Sequence, residues 1–201
     1  IVTVGAIRAP RGEQVEIQAE QVISAAGPWV DQIGRLAGVD LPIVYSKGSL
    51  LITNARLGKH VINRLRLPAD GDIVVPGETV TITGTTSIRV RNLDHLTTPA
   101  AEVDLLVREA SKLVPAMADA RYVRVYAGVR PLVESKDGAD GKDRGLSRTF
   151  TLFDHEDDGL SNLTTIAGGK LTTYRLMAEK ATDQVCARLG VEKPCVTAEQ
   201  P

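Results

Sequence analysis

Cysteine is scarce in this chain, an excess of charge of one sign and long apolar runs are missing, and each shortage removes a class of function. Cys186 and Cys195 are its only cysteines, too few and too far apart for a metal cage, and a reducing cytoplasm fits them best. Lysine and arginine number 24 against 25 aspartates and glutamates, so nothing in the net charge of -1 calls for nucleic acid or an anionic membrane surface. No run of about 18 apolar residues offers a membrane span. There is no initiator methionine and no signal-like segment. The chain opens at Ile1 in IVTVGAIRA, which already alternates like a strand, as expected of a piece of a longer protein. What remains is 201 residues, 43% of them hydrophobic and 24% charged, enough for one compact domain or two small lobes.

The pattern along the chain is rich in short strands. Residues 1–25 predict a hairpin with a turn at Pro10-Arg11-Gly12-Glu13, then a third strand in QVISA. Gly27-Pro28 ends that strand, Pro28 suits the first turn of a short helix in WVDQIGRLAG, and Gly38 stops it. SLLIT at 49–53, DIVV at 72–75 and TVTITGTT at 79–86 read as strands separated by Gly, Pro, Asn and Asp. From Thr98-Pro99 to about Ala118, the residues Val103, Leu106, Val107, Ala110, Leu113 and Val114 share one helical face, with Thr98 as the expected N-cap. RYVRVYAGVRPL alternates again, and the polar, Gly/Asp-rich residues 134–147 predict a mobile surface loop.

The stretch AGGKLTTYRLMAEKA, residues 167–181, carries the strongest chemical signal. SNLTTIA predicts a strand, Gly168-Gly169 a tight turn, and LTTYRLMAEKATDQVCARL a helix with Met177, Ala181, Val185 and Leu189 in register. Strand, glycines and helix start together bring bare backbone N–H groups against an anion or an electron-rich ring. Lys170 adds its charge to the positive end of the helix dipole, which costs a few tenths of a kcal/mol unless a negative ligand reverses the sign. A plain turn with a solvent-facing lysine fits the same residues. SAAGPWV at 24–30 is a second strand, glycine and helix start, with small Ala25 and Ala26 leaving room across the backbone. Arg130 ends a strand just before Pro131, where either a structural ion pair or a fork aimed at carboxylate or phosphate fits. Arg148, in LSRTFTLFDHEDDG, fits either an exposed strand-edge charge or a further contact of that kind.

VISAAGPWVDQI, KGSLLIT, GTTSIRV, AGVRPLV, LSRTFTLFDH and GGKLTTYRLMAEKA, in that order and spacing, resemble the FAD-dependent sn-glycerol-3-phosphate dehydrogenase family. Within it the resemblance is to the catalytic flavoprotein subunits of the anaerobic bacterial branch, and it covers about residues 22–197. It implies a mixed α/β fold of the D-amino-acid-oxidase-like flavoprotein type. Residues 1–40 and 164–190 would belong to a Rossmann-like FAD-binding domain, 41–163 to a mixed-sheet substrate domain, and 191–201 to a linker toward a further module. No GxGxxG occurs in the chain, so the family's flavin fingerprint is expected in a preceding segment, and the isolated chain is expected to be inactive.

By the same resemblance FAD is the cofactor, with Gly169, Lys170, Leu171 and Thr172 against its isoalloxazine and Gly27 near its pyrophosphate or adenosine. Arg130 and Arg148 match the family's substrate-phosphate arginines, and Lys170 would stabilise negative charge on reduced flavin or on the substrate phosphate. The reaction implied is oxidation of glycerol 3-phosphate to dihydroxyacetone phosphate with hydride transfer to flavin. Electrons would pass to quinone through companion subunits, with the protein in the cytoplasm on the inner face of the cell membrane. One departure stands out. Lys47-Gly48-Ser49-Leu50 has leucine where related respiratory enzymes carry a histidine able to act as base, so either another group takes the proton or the base lies in the preceding segment. His60, His95 and His155 all read as polar loop residues. Two other readings fit parts of the pattern: an amino-acid oxidase of the same wider group, and a non-catalytic assembly module.

Overall fold

Residues 2–8, 14–134 and 149–200 are described in a computed structural model of the chain, which divides into two units, Ile1–Ile43 with Ser147–Pro201 and Val44–Leu146. The first unit starts with the antiparallel pair β1 (Val2–Arg8) and β2 (Gln14–Ala19). The turn expected at Pro10 to Glu13 lies outside the described residues. β3 (Val22–Ser24) follows, then a single 3-10 turn at Gly27–Trp29, then α1 (Val30–Leu36). Proline in that turn removes an N–H that would have no helical acceptor, and Gly38 closes α1 at φ +80°. Its N–H donates to the Arg35 carbonyl at 3.1 Å, and that of Val39 to Gly34 at 2.9 Å.

The second unit is built around β4 (Ile43–Thr53), of which the predicted SLLIT is only the second half. Ser46 and Lys47 are buried in the first half, polar residues that conceal it from any hydrophobic pattern, and Ser49 is buried where the predicted half begins. The sheet order is β5 (Ile62–Asn63), β6 (Ile73–Pro76), β7 (Thr81–Gly84), β4 and β8 (Ile88–Val90). β7 pairs with residues 50–52 of β4 and β8 with residues 45–47, so Thr85, Thr86 and Ser87 form a break between the two. α2 (Ala100–Ser111) begins two residues after Thr98. Pro99 occupies the N-cap position with no side-chain cap, while the Thr98 hydroxyl pairs with Ser49 Oγ at 3.1 Å, which corrects the expected cap. The helix also stops short of Ala118, because Pro115 cannot continue it and starts a separate 3-10 turn, Pro115–Met117. Val74, Ala110 and Met117 form the core, with Leu57, Ile62, Leu113, Val114 and Tyr122 packed around them. β9 (Tyr122–Val133) pairs with β4 and carries Arg130 near its end.

The chain returns to the first unit through β10 (Phe150–Asp154) and β11 (Leu163–Gly168), which pair antiparallel from Phe150↔Gly168 to Asp154↔Thr164. That pairing draws residues 150–154 into the unit of β11, whereas the family resemblance implies a return at about residue 164. β11 is also parallel to β3, and its residues Leu163 to Ala167 are all buried, as in a strand covered on both faces. Its two buried threonines are both satisfied: Thr164 Oγ1 accepts from Arg188 Nη1 at 2.9 Å, and Thr165 Oγ1 pairs with His155 Nε2 at 3.0 Å. A 3-10 turn, Leu171–Thr173, then leads into α3 (Tyr174–Arg188). Ala181 is its buried anchor, with Met177 and Val185 half-buried on the same face. Among the described residues no helix is long and apolar enough to cross a membrane.

Candidate functional site

In the first unit, β3 and β11 are adjacent and parallel, and each runs at its carboxyl end into a glycine turn and a helix. Gly27 and Gly168 each lie three residues beyond the last paired residues, Ser24 and Thr165. Their φ values are +55° and +78°, and that of Gly169 is +77°. Ligands in open α/β sheets bind outside the carboxyl ends of the strands, where such turns expose backbone N–H groups. The turns therefore bring together Gly27, Gly169, Lys170, Leu171 and Thr172 at one end of one sheet.

The glycine pair is also demanded by its own surroundings. A methyl on Gly168 would stand 2.7 Å from the Thr149 carbonyl oxygen, and one on Gly169 would stand 2.5 Å from Met177 Sδ. Local packing thus accounts for the glycines; the lysine needs another reason. Lys170 N–H donates to Thr173 Oγ1 at 3.1 Å, the Thr173 hydroxyl donates back to the Lys170 carbonyl at 2.8 Å, and the Lys170 side chain is exposed. Its ammonium has no acceptor among the described residues. The N–H groups of Leu171 and Thr172 belong to the first turn, which no preceding turn supplies with acceptors.

Two observations fit a bound group here. Ser24 Oγ is buried without a hydrogen-bond partner among the described residues, at the end of β3 where the turn begins. Above Gly27 a methyl would meet nothing within 4 Å, so the backbone is open to close approach. These residues suit a nucleotide cofactor such as FAD, with Gly27, Gly169, Lys170, Leu171 and Thr172 to hold it.

The second unit builds a different feature. Arg130 Nη2 donates to Thr85 Oγ1 at 2.6 Å and Nη1 to the Thr86 carbonyl at 3.4 Å, and the guanidinium covers the bare backbone of Gly48. Beneath it lies a buried ion pair. Lys47 Nζ donates to Glu102 Oε2 and to the Thr97 carbonyl, both at 2.6 Å. Thr86 Oγ1 donates to Glu102 Oε1 and accepts the Ser49 N–H at 3.0 Å. Burial pushes the Glu102 carboxyl up, but hydrogen bonds from Lys47, Ser49 and Thr86 and the Lys47 charge outweigh it and hold the group below its ordinary value. Residue 50 is leucine, packed on Gly84, and offers no ionisable group. Arg148 lies outside the described residues.

His155 does lie in the loop after β10, but it is not solvated: it is 2% exposed, with Nδ1 on Asp158 at 2.9 Å and Nε2 on Thr165. Those bonds tie the turn after β10 to β11. His60 and His95 are exposed. Sequence reasoning missed Glu102, because a glutamate in a first helical turn ordinarily faces water. A signal was available in Thr85 and Thr86, polar residues following a strand that keeps its edge unpaired there.

Adjacent parallel strands ending in glycine turns are the arrangement with which α/β folds hold nucleotide cofactors, and here they stand beside a second unit built on a six-stranded sheet. The model of the FAD dependent oxidoreductase (DAO) family matches residues 2–175, and the chain belongs to that family. Among its relatives, one component of the anaerobic glycerol-3-phosphate dehydrogenase of Escherichia coli (strain K12) is 50% identical over 191 residues, covering 94% of this chain and 35% of the relative. The corresponding component of the Haloferax volcanii enzyme is 46% identical over 191 residues, covering 94% and 33%. The chain thus spans about a third of the length of the curated relatives it matches. The glycerol-3-phosphate dehydrogenase from Bacillus halodurans, solved with FAD, superposes with a TM-score of 0.77 at 28% identity over 98% of this chain and 38% of that one. Glycine oxidase from Geobacillus kaustophilus, at 20% identity, 94% and 45% coverage and a TM-score of 0.62, shares the fold.

Proposed function

We propose that this chain forms part of an FAD-dependent dehydrogenase that oxidises sn-glycerol 3-phosphate to dihydroxyacetone phosphate. The observation that carries the reading is the Arg130 guanidinium, held flat over Gly48 at the end of β9. A planar fork fixed from below is suited to a phosphate dianion, which it can grip through two parallel N–H···O bonds. The names of the relatives in the DAO family support the same substrate. Arg148 is proposed as a second phosphate contact.

When bound, FAD supplies the acceptor for the hydride that leaves C2 of the substrate. This chain's residues would do the rest. Gly27 and the Gly168-Gly169 turn would admit the cofactor to bare backbone, and Leu171 and Thr172 would offer their N–H groups. Lys170 would place a positive charge where negative charge develops on reduction. The hydroxyl proton goes to a group other than residue 50, which is leucine. Residues 1–40 and 164–190 are proposed to serve the cofactor and 41–163 the substrate, with residues 191–201 a linker. Quinone is proposed as the final acceptor, reached through companion subunits on the inner face of the cell membrane. The relatives are named as components of a multi-subunit enzyme, which supports partners of that kind.

The test is Arg130→Ala and Arg130→Lys in the FAD-loaded holoenzyme that carries this sequence. Alanine should raise KM for glycerol 3-phosphate by the equivalent of roughly 2–4 kcal/mol with flavin content unchanged, and lysine should restore only part of it. A KM within about twofold of the parent for Arg130→Ala would reject Arg130 as the anchor.

A further inference from the structure

Glu102 and Lys47 are 5% and 4% exposed, an ion pair removed from water inside the second unit. Burying two charges carries a desolvation penalty that their attraction often fails to recover, so stability alone is a weak reason for the pair. Its connections suggest another. Glu102 is held ionised, so both of its oxygens can only accept. Oε2 takes Lys47 and Oε1 takes the single Thr86 hydroxyl proton. With that proton committed, Thr86 Oγ1 turns a lone pair to the Ser49 N–H at 3.0 Å. Lys47 and Ser49 are the two neighbours of Gly48, so one carboxylate fixes both sides of the residue on which Arg130 lies. It also fixes Thr86, whose carbonyl receives Arg130 Nη1, next to Thr85, whose hydroxyl receives Nη2.

We propose that Glu102 is a positioning residue: acting through Thr86 and Lys47, it sets the floor and the rim that hold the Arg130 guanidinium in its substrate-gripping orientation. This rests on the reading of Arg130 as the phosphate anchor. Glu102 does not itself touch the substrate.

The experiment uses the FAD-loaded holoenzyme and four variants beside Arg130→Ala: Lys47→Met with Glu102→Leu, Thr86→Val, and each of these combined with Arg130→Ala. The apolar pair removes both buried charges together, and Thr86→Val removes only the connecting hydroxyl. Each should raise KM for glycerol 3-phosphate about tenfold or more, with kcat changed far less and flavin content kept. On the Arg130→Ala background neither should add to the KM already lost, because effects transmitted through one residue do not sum. If Arg130→Ala raises KM but these variants leave it within about twofold, or raise it by the same factor without Arg130, Glu102 does not act through Arg130 and the proposal falls alone. If Arg130→Ala itself leaves KM unchanged, the anchor reading falls and takes this proposal with it. Should the apolar pair fail to fold, Thr86→Val decides by the same criteria.

Discussion

The guanidinium of Arg130 rests on Gly48 so closely that a methyl at residue 48 would stand 2.4 Å from Nη2 and 2.6 Å from Nη1. The obstructing atoms are the tip of a long flexible side chain and not backbone. Gly48→Ala should therefore be absorbed by moving Arg130, with little loss of stability. Its effect should fall on binding: KM for glycerol 3-phosphate in the holoenzyme should rise toward that of Arg130→Ala, while the melting temperature shifts by less than about 4 °C, under 1 kcal/mol for a chain of this size. A large drop in melting temperature with KM unchanged would show that Gly48 matters to the fold instead.

Glu109 is a pH-sensitive group of the second unit. Hydrogen bonds from Lys112 and Arg64, opposed by burial and aided by both charges, bring its carboxyl to about 2 from the ordinary 4.5. Lys112 Nζ lies 2.7 Å from Oε1 and Arg64 Nη1 2.8 Å from Oε2. A folded value below the unfolded one means that the carboxylate stabilises the fold fully above the ordinary value and progressively less as pH falls toward 2. Melting curves of the chain and of Glu109→Gln should thus differ most at about pH 6, differ less by about pH 3 and converge only toward about pH 2. A gap that is constant across this range would contradict the assignment.

Lys170→Met separates two accounts of the glycine turn. It keeps the aliphatic stem and removes the charge. If the ammonium faces reduced flavin, the flavin potential should fall by roughly 30 mV for each 1.4 kcal/mol of lost stabilisation, and turnover should fall with it. If the lysine only faces solvent, the helix start gains from losing an unfavourable charge and the melting temperature rises with activity intact. A redox titration and a melting curve on the same variant distinguish the two.

The sequence disclosed those parts of the fold in which local geometry has one solution. Gly168 and Gly169 need φ near +78° and sit between a buried strand and a helix, so the turn was readable from its residues. Arg130 stood out because a guanidinium at the end of an alternating strand is unusual. By contrast, the first half of β4 was hidden: Ser46, Lys47 and Gly48 look like a solvated loop until Glu102, 55 residues from Lys47, supplies the partner that makes burial of the lysine tolerable. His155 was hidden for the same reason, its partners being Asp158 across a turn and Thr165 on the next strand. Thr98 looked like a cap because threonine often is one, but its hydroxyl is taken by Ser49. In each case a long-range polar bond overrode a local preference.

The most direct measurement is anaerobic reduction of the holoenzyme's flavin, followed by its absorbance, with glycerol 3-phosphate, glycine and D-amino acids offered in turn. The account predicts saturable bleaching by glycerol 3-phosphate alone, with dihydroxyacetone phosphate formed in equal amount to reduced flavin, and a half-saturating concentration that rises sharply in Arg130→Ala. Bleaching by glycine or a D-amino acid, with glycerol 3-phosphate inert, would contradict it.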